Sequence, residues 1–137
     1  MPTAVAFPPE VRALLEEPQP AVITCVRSDG QPVSVATWYL MDGDRVLVNM
    51  DDGRKRLDYL RADPRVSITV LKADDWYTHV SMQGRVVEMS DDHGLVGIDR
   101  LSRHYRGREY AVRNRGRVNA WIEIDRWHGW GKVSPGD

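Results

Sequence analysis

A run of charged residues opens the stretch DDGRKRLDYLRADPRVSITV, residues 51 to 70, and offers the clearest candidate chemistry. Gly53, Arg54 and Lys55 stand at the predicted start of a short helix. Unpaired backbone N–H groups and the helix dipole favour an anion such as phosphate at that position. Neighbouring helical residues lie about 100° apart, so only one or two of the consecutive cations are expected to contact one ligand.

The helix that must position these cations is short. Leu57 and Leu60 form a minimal apolar stripe, and the proline that follows Asp63 ends the helix there. An alternative interpretation of the charges is a solvated helix start with Asp51 or Asp52 as its N-cap.

A second group of cations lies between Arg100 and Arg117, where seven arginines accompany a single acid, Glu109. The net charge of the chain is only −1, so this positive charge is local. It is either a solvated face or a site for an anion, namely nucleic acid, a phosphate or a polycarboxylate.

Cysteine and histidine usage indicates neither a disulfide nor a metal. Cys25 is the only cysteine and lies in the apolar run AVITCV, which favours a buried thiol. The four histidines, His79, His93, His104 and His128, lack the tight spacing of zinc ligands. No Ser-His-Asp pattern is evident either, so the sequence predicts no metal and no protein nucleophile.

The whole chain has the length and composition of one globular domain, residues 1–137, with 42% hydrophobic and 28% charged residues. The N-terminal segment MPTAVAFPPEV has no basic start, and prolines interrupt its apolar run. Neither a secretory signal nor a membrane span is expected, which favours a cytoplasmic location.

Period-two hydrophobic patterns predict six strands with helices between them. The expected strands are 21–26, 32–40, 45–50, 65–70, 76–89 and 117–127. The expected helices are 8–17, a short one ending at Asp63, and one from Ser90, as N-cap, to about Arg106. The first three strands are close enough in sequence to form an antiparallel meander, and Gly84 predicts a bulge or a close backbone approach. The pattern indicates a mainly β (α+β) barrel or sandwich with short peripheral helices.

The segment GRKRLDYLRADPRVSITV, followed by THVSMQGRVVEM and later by IDRLSRHYRG, resembles the flavin-binding split-barrel family typified by pyridoxamine 5'-phosphate oxidase. The likeness is strongest to its small deazaflavin (coenzyme F420)-dependent oxidoreductases and covers residues 17 to 127. It implies a six-stranded antiparallel split β-barrel that forms a homodimer with cofactor sites at the subunit interface. Trp121, Trp127 and Trp130 would then face a partner, or else a helix-covered face of the barrel.

The resemblance also implies which residues hold the cofactor. The phosphate would be bound by Gly53, Arg54 and Lys55. The ring would be lined by Thr37, Trp38, Tyr39, Asn49 and Met50, and Thr78 and His79 would also face the cofactor.

The expected activity is hydride transfer from reduced coenzyme F420 to an electron-poor double bond, imine or quinone. Flavin mononucleotide (FMN) is the alternative cofactor, but the family's phosphate-binding arginine is missing from residues 32–40. The arginine cluster favours F420 because that cofactor ends in an oligoglutamate tail. Tyr39, Tyr77 and His79 are candidate proton donors by chemistry alone.

Two rival functions remain open. The same fold could bind a flavin or haem without turnover. A small β-barrel could instead bind nucleic acid through the arginine cluster, although the net charge of −1 and the 20 acidic residues count against that function.

Overall fold

The computed structural model describes residues 5–134, and within them the chain forms seven strands and three α-helices. The strands are β1 (Ala21–Val26), β2 (Pro32–Thr37), β3 (Leu40–Asp42), β4 (Arg45–Asp51), β5 (Arg65–Lys72), β6 (Asp75–Asp91) and β7 (Arg117–Trp130). The helices are α1 (Pro9–Glu16), α2 (Lys55–Ala62) and α3 (Val96–Arg106), with short 3-10 turns at His93–Leu95 and Gly131–Val133. The expectations for the two chain ends fall partly on residues 1–4 and 135–137, which lie outside the described part.

All seven strands belong to one antiparallel sheet with the order β2-β1-β5-β6-β7-β4-β3. The two ends of this order, β2 and β3, are consecutive in the chain and are separated only by Trp38 and Tyr39. The mainly antiparallel fold with short helices is therefore confirmed, with seven strands instead of six.

The predicted meander is interrupted because the expected strand 32–40 breaks near its end, at Trp38 and Tyr39, although both of its antiparallel pairings are present. Tyr39 is fully buried, and its hydroxyl donates to the backbone carbonyl of Leu15 over 2.9 Å. Its backbone N–H donates to the hydroxyl of Tyr105 over 3.3 Å instead of joining the sheet. The break sends β2 to β1 and β3 to β4, at opposite ends of the strand order.

The core lies inside the curved sheet and is closed by α1 and α2. Alternating residues of β1 and β5 point inward, and the thiol of Cys25 is buried among them, as predicted. Leu57 and Leu60 of α2 are buried as the sequence predicted. The other buried side chains of the helices are Val11, Leu14 and Leu15 of α1.

A smaller apolar cluster lies where α3 covers β3 and β4. Leu40 and Leu47 of the sheet contact Ile98 and Leu101 of α3, and Trp121 packs beside them. The indole N–H of Trp121 donates to Asp42 over 2.8 Å. Trp127 packs on Phe7 with ring centroids 5.6 Å apart. Trp121 therefore corresponds to the helix-covered alternative, whereas Trp127 is covered by Phe7 of the segment before α1.

Strand β6 carries the predicted two faces and the predicted irregularity. Thr78, Val80 and Met82 are buried along one face, as the period-two pattern indicated. The β6–β7 register shifts between Gln83 and Gly84, and a Cβ atom on Gly84 would collide with the backbone carbonyl of Glu123. Gly84 therefore marks both a bulge and a close backbone approach.

Helix α3 begins later than predicted. Ser90 is not its N-cap, because Ser90 and Asp91 still pair with β7 in strand β6. After the 3-10 turn, the carboxylate of Asp92 accepts hydrogen bonds from the backbone N–H groups of Gly97 (2.7 Å) and Ile98 (2.9 Å). None of the helices within residues 5–134 is long and apolar enough to span a membrane.

Candidate cofactor groove

An open groove of about 860 Å³ runs between α2, α3 and the ends of β2 and β4. Five of the predicted cofactor-binding residues line it. They are Thr37, Trp38, Asn49, Met50 and Arg54. The break between β2 and β3 places Trp38 on the wall, and the C-terminal half of β4 brings Asn49 and Met50 to the same space. Residues from three separate segments of the chain thus meet at one site.

Two guanidinium groups at the start of α2 give the groove a positive charge. Arg54 precedes the helix and Arg56 lies in its first turn, and both line the groove. Among residues 5–134, neither side chain has a carboxylate within ion-pair distance. Burial, and then repulsion from Arg54, lowers the pKa of Arg56 below its usual value. Two neighbouring cations without a counter-charge are suited to an anionic ligand.

The other predicted phosphate ligands lie off this groove. Lys55 is exposed and does not line it. Gly53 lines an adjoining depression of about 600 Å³ together with Asn114 and Arg115. The structure therefore brings Arg56, not Lys55, to the groove beside Arg54.

The alternative prediction of an aspartate N-cap is wrong. The residue at the N-cap of α2 is Arg54, and no side chain of the described residues caps the helix. Asp51 instead ends β4, and its carboxylate lies 3.3 Å from Arg115 and 3.8 Å from Arg117. Asp52 donates its backbone N–H to the carbonyl of Gly116. The two aspartates thus fasten the segment before β7 to the end of β4.

An aromatic wall forms the side of the groove next to α3. The ring of Trp38 stacks on Tyr105 with centroids 5.3 Å apart and an interplanar angle of 13°. Tyr110 meets Trp38 edge-on at 6.1 Å, and the guanidinium of Arg106 lies 5.8 Å from the Trp38 ring centre. The Tyr105 hydroxyl donates to the carbonyl of Gln19 over 2.7 Å, which fixes the stack. Burial raises the pKa of Tyr105 to about 12, so the phenol stays protonated.

A buried polar network supports the floor of the groove. The Asn49 side-chain amide donates to Asp92 (3.0 Å) and to Asn119 (2.8 Å). Its oxygen accepts a 2.7 Å hydrogen bond from Nε of Arg117. Arg117 also lies under the ring of Tyr110, 4.9 Å from the centroid. Asn49 therefore orients Arg117, which the sequence had placed only in the arginine cluster and which lines the groove.

Three predicted cofactor residues are placed elsewhere. Tyr39 points into the core. Thr78 is buried near the N-terminal end of β6, where its hydroxyl donates to Asp75 over 2.8 Å. His79 stacks on Trp130 with centroids 5.9 Å apart. None of the three lines the groove of its own chain.

Most of the arginine cluster is engaged in ion pairs. Arg103 pairs with Glu109 at 2.9 Å, and Arg113 pairs with Asp99 at 2.9 Å. Arg100 lies 3.6 Å from Asp42. Of the seven arginines, Arg106 and Arg117 line the groove within the described residues. No three His, Cys, Asp or Glu side chains between residues 5 and 134 come together as metal ligands would.

An antiparallel split barrel with an open groove at the start of its second helix is the class of protein that this structure defines. The family model described as Pyridoxamine 5'-phosphate oxidase matches residues 7–131, so the chain belongs to that family. The comparison with curated proteins gave no match.

Solved structures share the fold at low sequence identity. An F420 reductase superposes with a TM-score of 0.75 at 22% identity, covering 88% of this chain and 98% of that one. A conserved hypothetical protein from Mycobacterium tuberculosis has a TM-score of 0.70 at 21% identity, covering 93% and 86% of the two chains. A FAD-binding protein from Mesorhizobium loti has a TM-score of 0.63 at 22% identity, covering 89% and 92%. At these identities the likeness establishes the fold.

Proposed function

We propose that the chain is an oxidoreductase that binds coenzyme F420 in the groove and transfers a hydride to a small organic substrate. The observation that carries this proposal is the pair of unbalanced cations, Arg54 and Arg56, beside the aromatic wall of Trp38 and Tyr105. An anionic cofactor with a flat ring needs this combination of positive charge and flat apolar surface.

The residues present fit such a cofactor. Arg54 and Arg56 would hold its phosphate by charge-assisted hydrogen bonds, because no acid of the described residues neutralises them. Trp38, Thr37 and Met50 would line the ring. When bound, the reduced deazaflavin supplies a hydride, and the chain supplies position, charge and exclusion of water.

The positive charge of the groove favours F420 over FMN as its ligand. Arg106, which has no ion-pair partner among the described residues, adds a further guanidinium group to the groove, and Arg117 also lines it, 3.8 Å from the carboxylate of Asp51. This positive charge suits a ligand that carries an oligoglutamate tail besides its phosphate. A solved structure named as an F420 reductase has the same fold. FMN is the second candidate, since a FAD-binding protein also shares the fold.

The groove is suited to positioning a cofactor, and the two buried phenols of Tyr39 and Tyr105 are not available as proton donors. Burial raises the pKa of Tyr39 and of Tyr105, and both hydroxyls donate to backbone carbonyls. Neither phenol is free to give its proton to a substrate. The earlier candidates Tyr77 and His79 lie away from the groove in the same chain.

The test is a titration of coenzyme F420 and of FMN against the parent, Arg56→Ala and Lys55→Ala. Loss of one charge-assisted contact of about 1.5–3 kcal/mol weakens binding roughly ten- to hundredfold, and this is expected for Arg56→Ala. Lys55→Ala is expected to bind F420 as the parent does. Arg61→Ala, an exposed change on the same helix, is the control for altered charge.

Each outcome of the titration is decisive. Loss of F420 binding in Lys55→Ala with none in Arg56→Ala would return the phosphate site to the sequence-based prediction, and equal losses would assign it to both cations. Tighter binding of FMN than of F420 would replace the proposed cofactor. No binding of either would remove the oxidoreductase proposal.

We also propose that the chain forms a homodimer through an aromatic surface consisting of Trp76, Tyr77, His79, His128 and Trp130. Their rings form a continuous series of contacts, from Trp76 on Tyr77 (6.4 Å) to His128 on Trp130 (4.6 Å). Trp76 is 71% exposed and Trp130 45% exposed, although large aromatic side chains usually find cover. The turn before Trp76 contains Ala73, which lines the groove, so a partner on this surface would adjoin the cofactor site.

A further inference from the structure

Arg117 is a buried cation whose outer N–H groups lack acceptors within the chain. Its side chain is 10% exposed, and it lines the groove at the first position of β7. Neither Nη atom makes a hydrogen bond with another described residue. Nη1 lies 3.8 Å from an oxygen of Asp51 that already accepts from Arg115 over 3.3 Å. Burying unpaired N–H donors is costly, so Arg117 points to a ligand with an oxygen acceptor.

The pairing of β4 with β7 places Arg117 next to its partner within the chain. In the strand register Asn49 stands opposite Asn119, and Asp51 stands opposite Arg117. Residues two apart in a strand point to the same face, so these four side chains form a square on one face of the sheet. Asn49 and Arg117 occupy its diagonal, which a long side chain can bridge. The 2.7 Å hydrogen bond from Nε of Arg117 to Asn49 is therefore set by the register.

The carboxylate of Asp92 fixes the orientation of the Asn49 side chain. Asp92 is 7% exposed and accepts from two backbone N–H groups at the start of α3, where the helix dipole favours an anion. It also accepts from the amides of Asn49 (3.0 Å) and Asn119 (3.4 Å). The amide nitrogen of Asn49 must face this carboxylate, which leaves its oxygen for Arg117. The reversed amide would set its oxygen against the carboxylate and its N–H groups against the guanidinium.

The surroundings of Arg117 suit a flat ligand better than a flexible one. The ring of Tyr110 lies over the guanidinium with its centroid 4.9 Å away, and Tyr110 meets Trp38 edge-on. The Arg117 side chain is therefore buried beside the aromatic wall. Arg106, in contrast, is exposed and suits a hydrated, flexible anion. A buried donor beside an aromatic wall fits a carbonyl oxygen on the edge of a flat ring.

We propose that the Nη groups of Arg117 donate to a carbonyl oxygen of the cofactor ring, and that Asn49 and Asp92 are positioning residues for Arg117. The inference rests on the proposed function, because the rings of F420 and of FMN both carry carbonyl oxygens along one edge. It gives the ring a contact separate from the phosphate contact of Arg54 and Arg56. The two contacts act on different parts of one ligand, so a fragment of that ligand distinguishes them.

The probes for the test are coenzyme F420 and its phosphate-free fragment, which keeps the deazaflavin ring and the ribityl chain. Fluorescence titration gives the dissociation constants. Arg117→Met is expected to weaken both probes about tenfold or more, because each loses one charge-assisted hydrogen bond. Arg56→Ala is expected to weaken F420 and to leave the fragment within about twofold. Arg115→Met is the matched control, since that neighbouring side chain is 65% exposed and does not line the groove.

Arg117→Lys tests the contact with the positive charge retained. A lysine has no Nε–H for Asn49 and cannot present the planar pair of Nη groups. The fragment is therefore expected to bind Arg117→Lys as weakly as it binds Arg117→Met. F420 is expected to recover in part, because the retained cation still attracts its anionic groups. A purely structural role of Arg117 would weaken both probes by the same factor in each variant.

The positioning role is tested with Asp92→Asn, which replaces an acceptor oxygen by an amide nitrogen. Asp92→Asn is expected to weaken fragment binding about threefold to tenfold in the parent and to have no further effect in Arg117→Met. A structural role would give the same loss in both backgrounds. The ligand-free protein supplies a second readout by NMR. The Nε–H proton of Arg117 is expected to exchange with solvent more slowly than that of Arg115, and Asp92→Asn is expected to remove this protection.

The outcomes separate this inference from the proposed function. A parent that binds neither F420 nor the fragment contradicts both. If the parent binds F420 while Arg117→Met and Arg115→Met bind the fragment equally well, the ring contact alone is overturned. Binding of F420 without binding of the fragment likewise overturns it, because the ring contact would then hold nothing by itself. An Nε–H proton of Arg117 that exchanges as fast as that of Arg115 overturns the positioning role.

Discussion

Tyr39 in the core and Tyr105 at the groove are two phenols whose hydroxyl groups donate to backbone carbonyls. Their partners are the carbonyls of Leu15 (2.9 Å) and Gln19 (2.7 Å). Burial raises the pKa of Tyr39 and raises that of Tyr105 to about 12. The folded chain therefore keeps both protons at a pH where a free phenol has lost them.

This difference predicts how stability depends on pH. Between about pH 10 and pH 12 the unfolded chain loses the Tyr105 proton while the folded chain keeps it, so the free energy of unfolding falls as pH rises. Tyr105→Phe is expected to cost about 1–3 kcal/mol at neutral pH, because the Gln19 carbonyl loses its donor. The same variant is expected to show a shallower fall above pH 10, with Tyr39 supplying the remainder. Urea unfolding across this range measures both, and an unchanged slope would contradict the assignment.

Of the ten residues that the sequence predicted for the cofactor site, five line the groove. Trp38 and Asn49 were found through the family resemblance, and Arg54 was found first through its place at the predicted helix start. Arg56 was missed because the phase of α2 depends on its first residue, and the helix begins at Lys55, after the predicted start. Tyr105 carried a signal, since it continues the helical spacing of Leu95, Ile98 and Leu101, but its contact with Trp38 depends on a strand break that no local pattern indicates.

At the scale of elements, the contact between α3 and β7 depends on Gly97. A Cβ atom there would collide with the side-chain oxygen of Asn119, the same atom that accepts from Asn49. Gly97→Ala is therefore expected to lower the free energy of unfolding by about 1–3 kcal/mol. The loss is expected even though alanine favours a helix by about 1 kcal/mol over glycine.

The matched control is Gly53→Ala, because a Cβ atom at Gly53 meets no atom within 4 Å. That variant is expected to stay within about 0.5 kcal/mol of the parent in urea unfolding. If Gly97→Ala were as stable as Gly53→Ala, Asn119 would be free to move, and the network under Arg117 would not be rigid.

Helices and strands were predicted well where one hydrophobic pattern continued along the sequence. They were predicted poorly at the boundary between a strand pattern and a helix pattern. The strand 76–89 and the end of α2 at Asp63 followed directly from alternation and from proline. The start of α3 was placed too early because Ser90 and two following acids imitate an N-cap, whereas pairing with β7 extends the strand to Asp91. Long-range pairing outweighed the local signal, as it also did at Trp38 and Tyr39.

At the scale of the molecule, the arginine cluster is mainly a set of ion pairs, whereas the sequence favoured it as the site of an anionic cofactor tail. Most arginines from Arg100 to Arg117 pair with acids, some of them distant in sequence, such as Asp42 and Asp51. Only the fold shows which cations lack an ion-pair partner among the described residues, and of these Arg54, Arg56 and Arg106 line the groove. The fold class was predictable from short alternating segments, but the strand order was not, because it depends on which distant edges meet.

The aromatic surface around Trp130 gives a prediction about the whole molecule, namely its oligomeric state. If two copies bury this surface, Trp130 stands near the centre of their contact and its truncation removes a large desolvated ring. Trp130→Ser is expected to weaken the dimer by about 2 kcal/mol or more, roughly thirtyfold in dissociation constant. Sedimentation equilibrium measures this, with Val96→Ser as a control at an exposed apolar position on α3. A parent that sediments as a monomer, or a Trp130→Ser variant that dimerises like the parent, would show that another ligand or no ligand covers this surface.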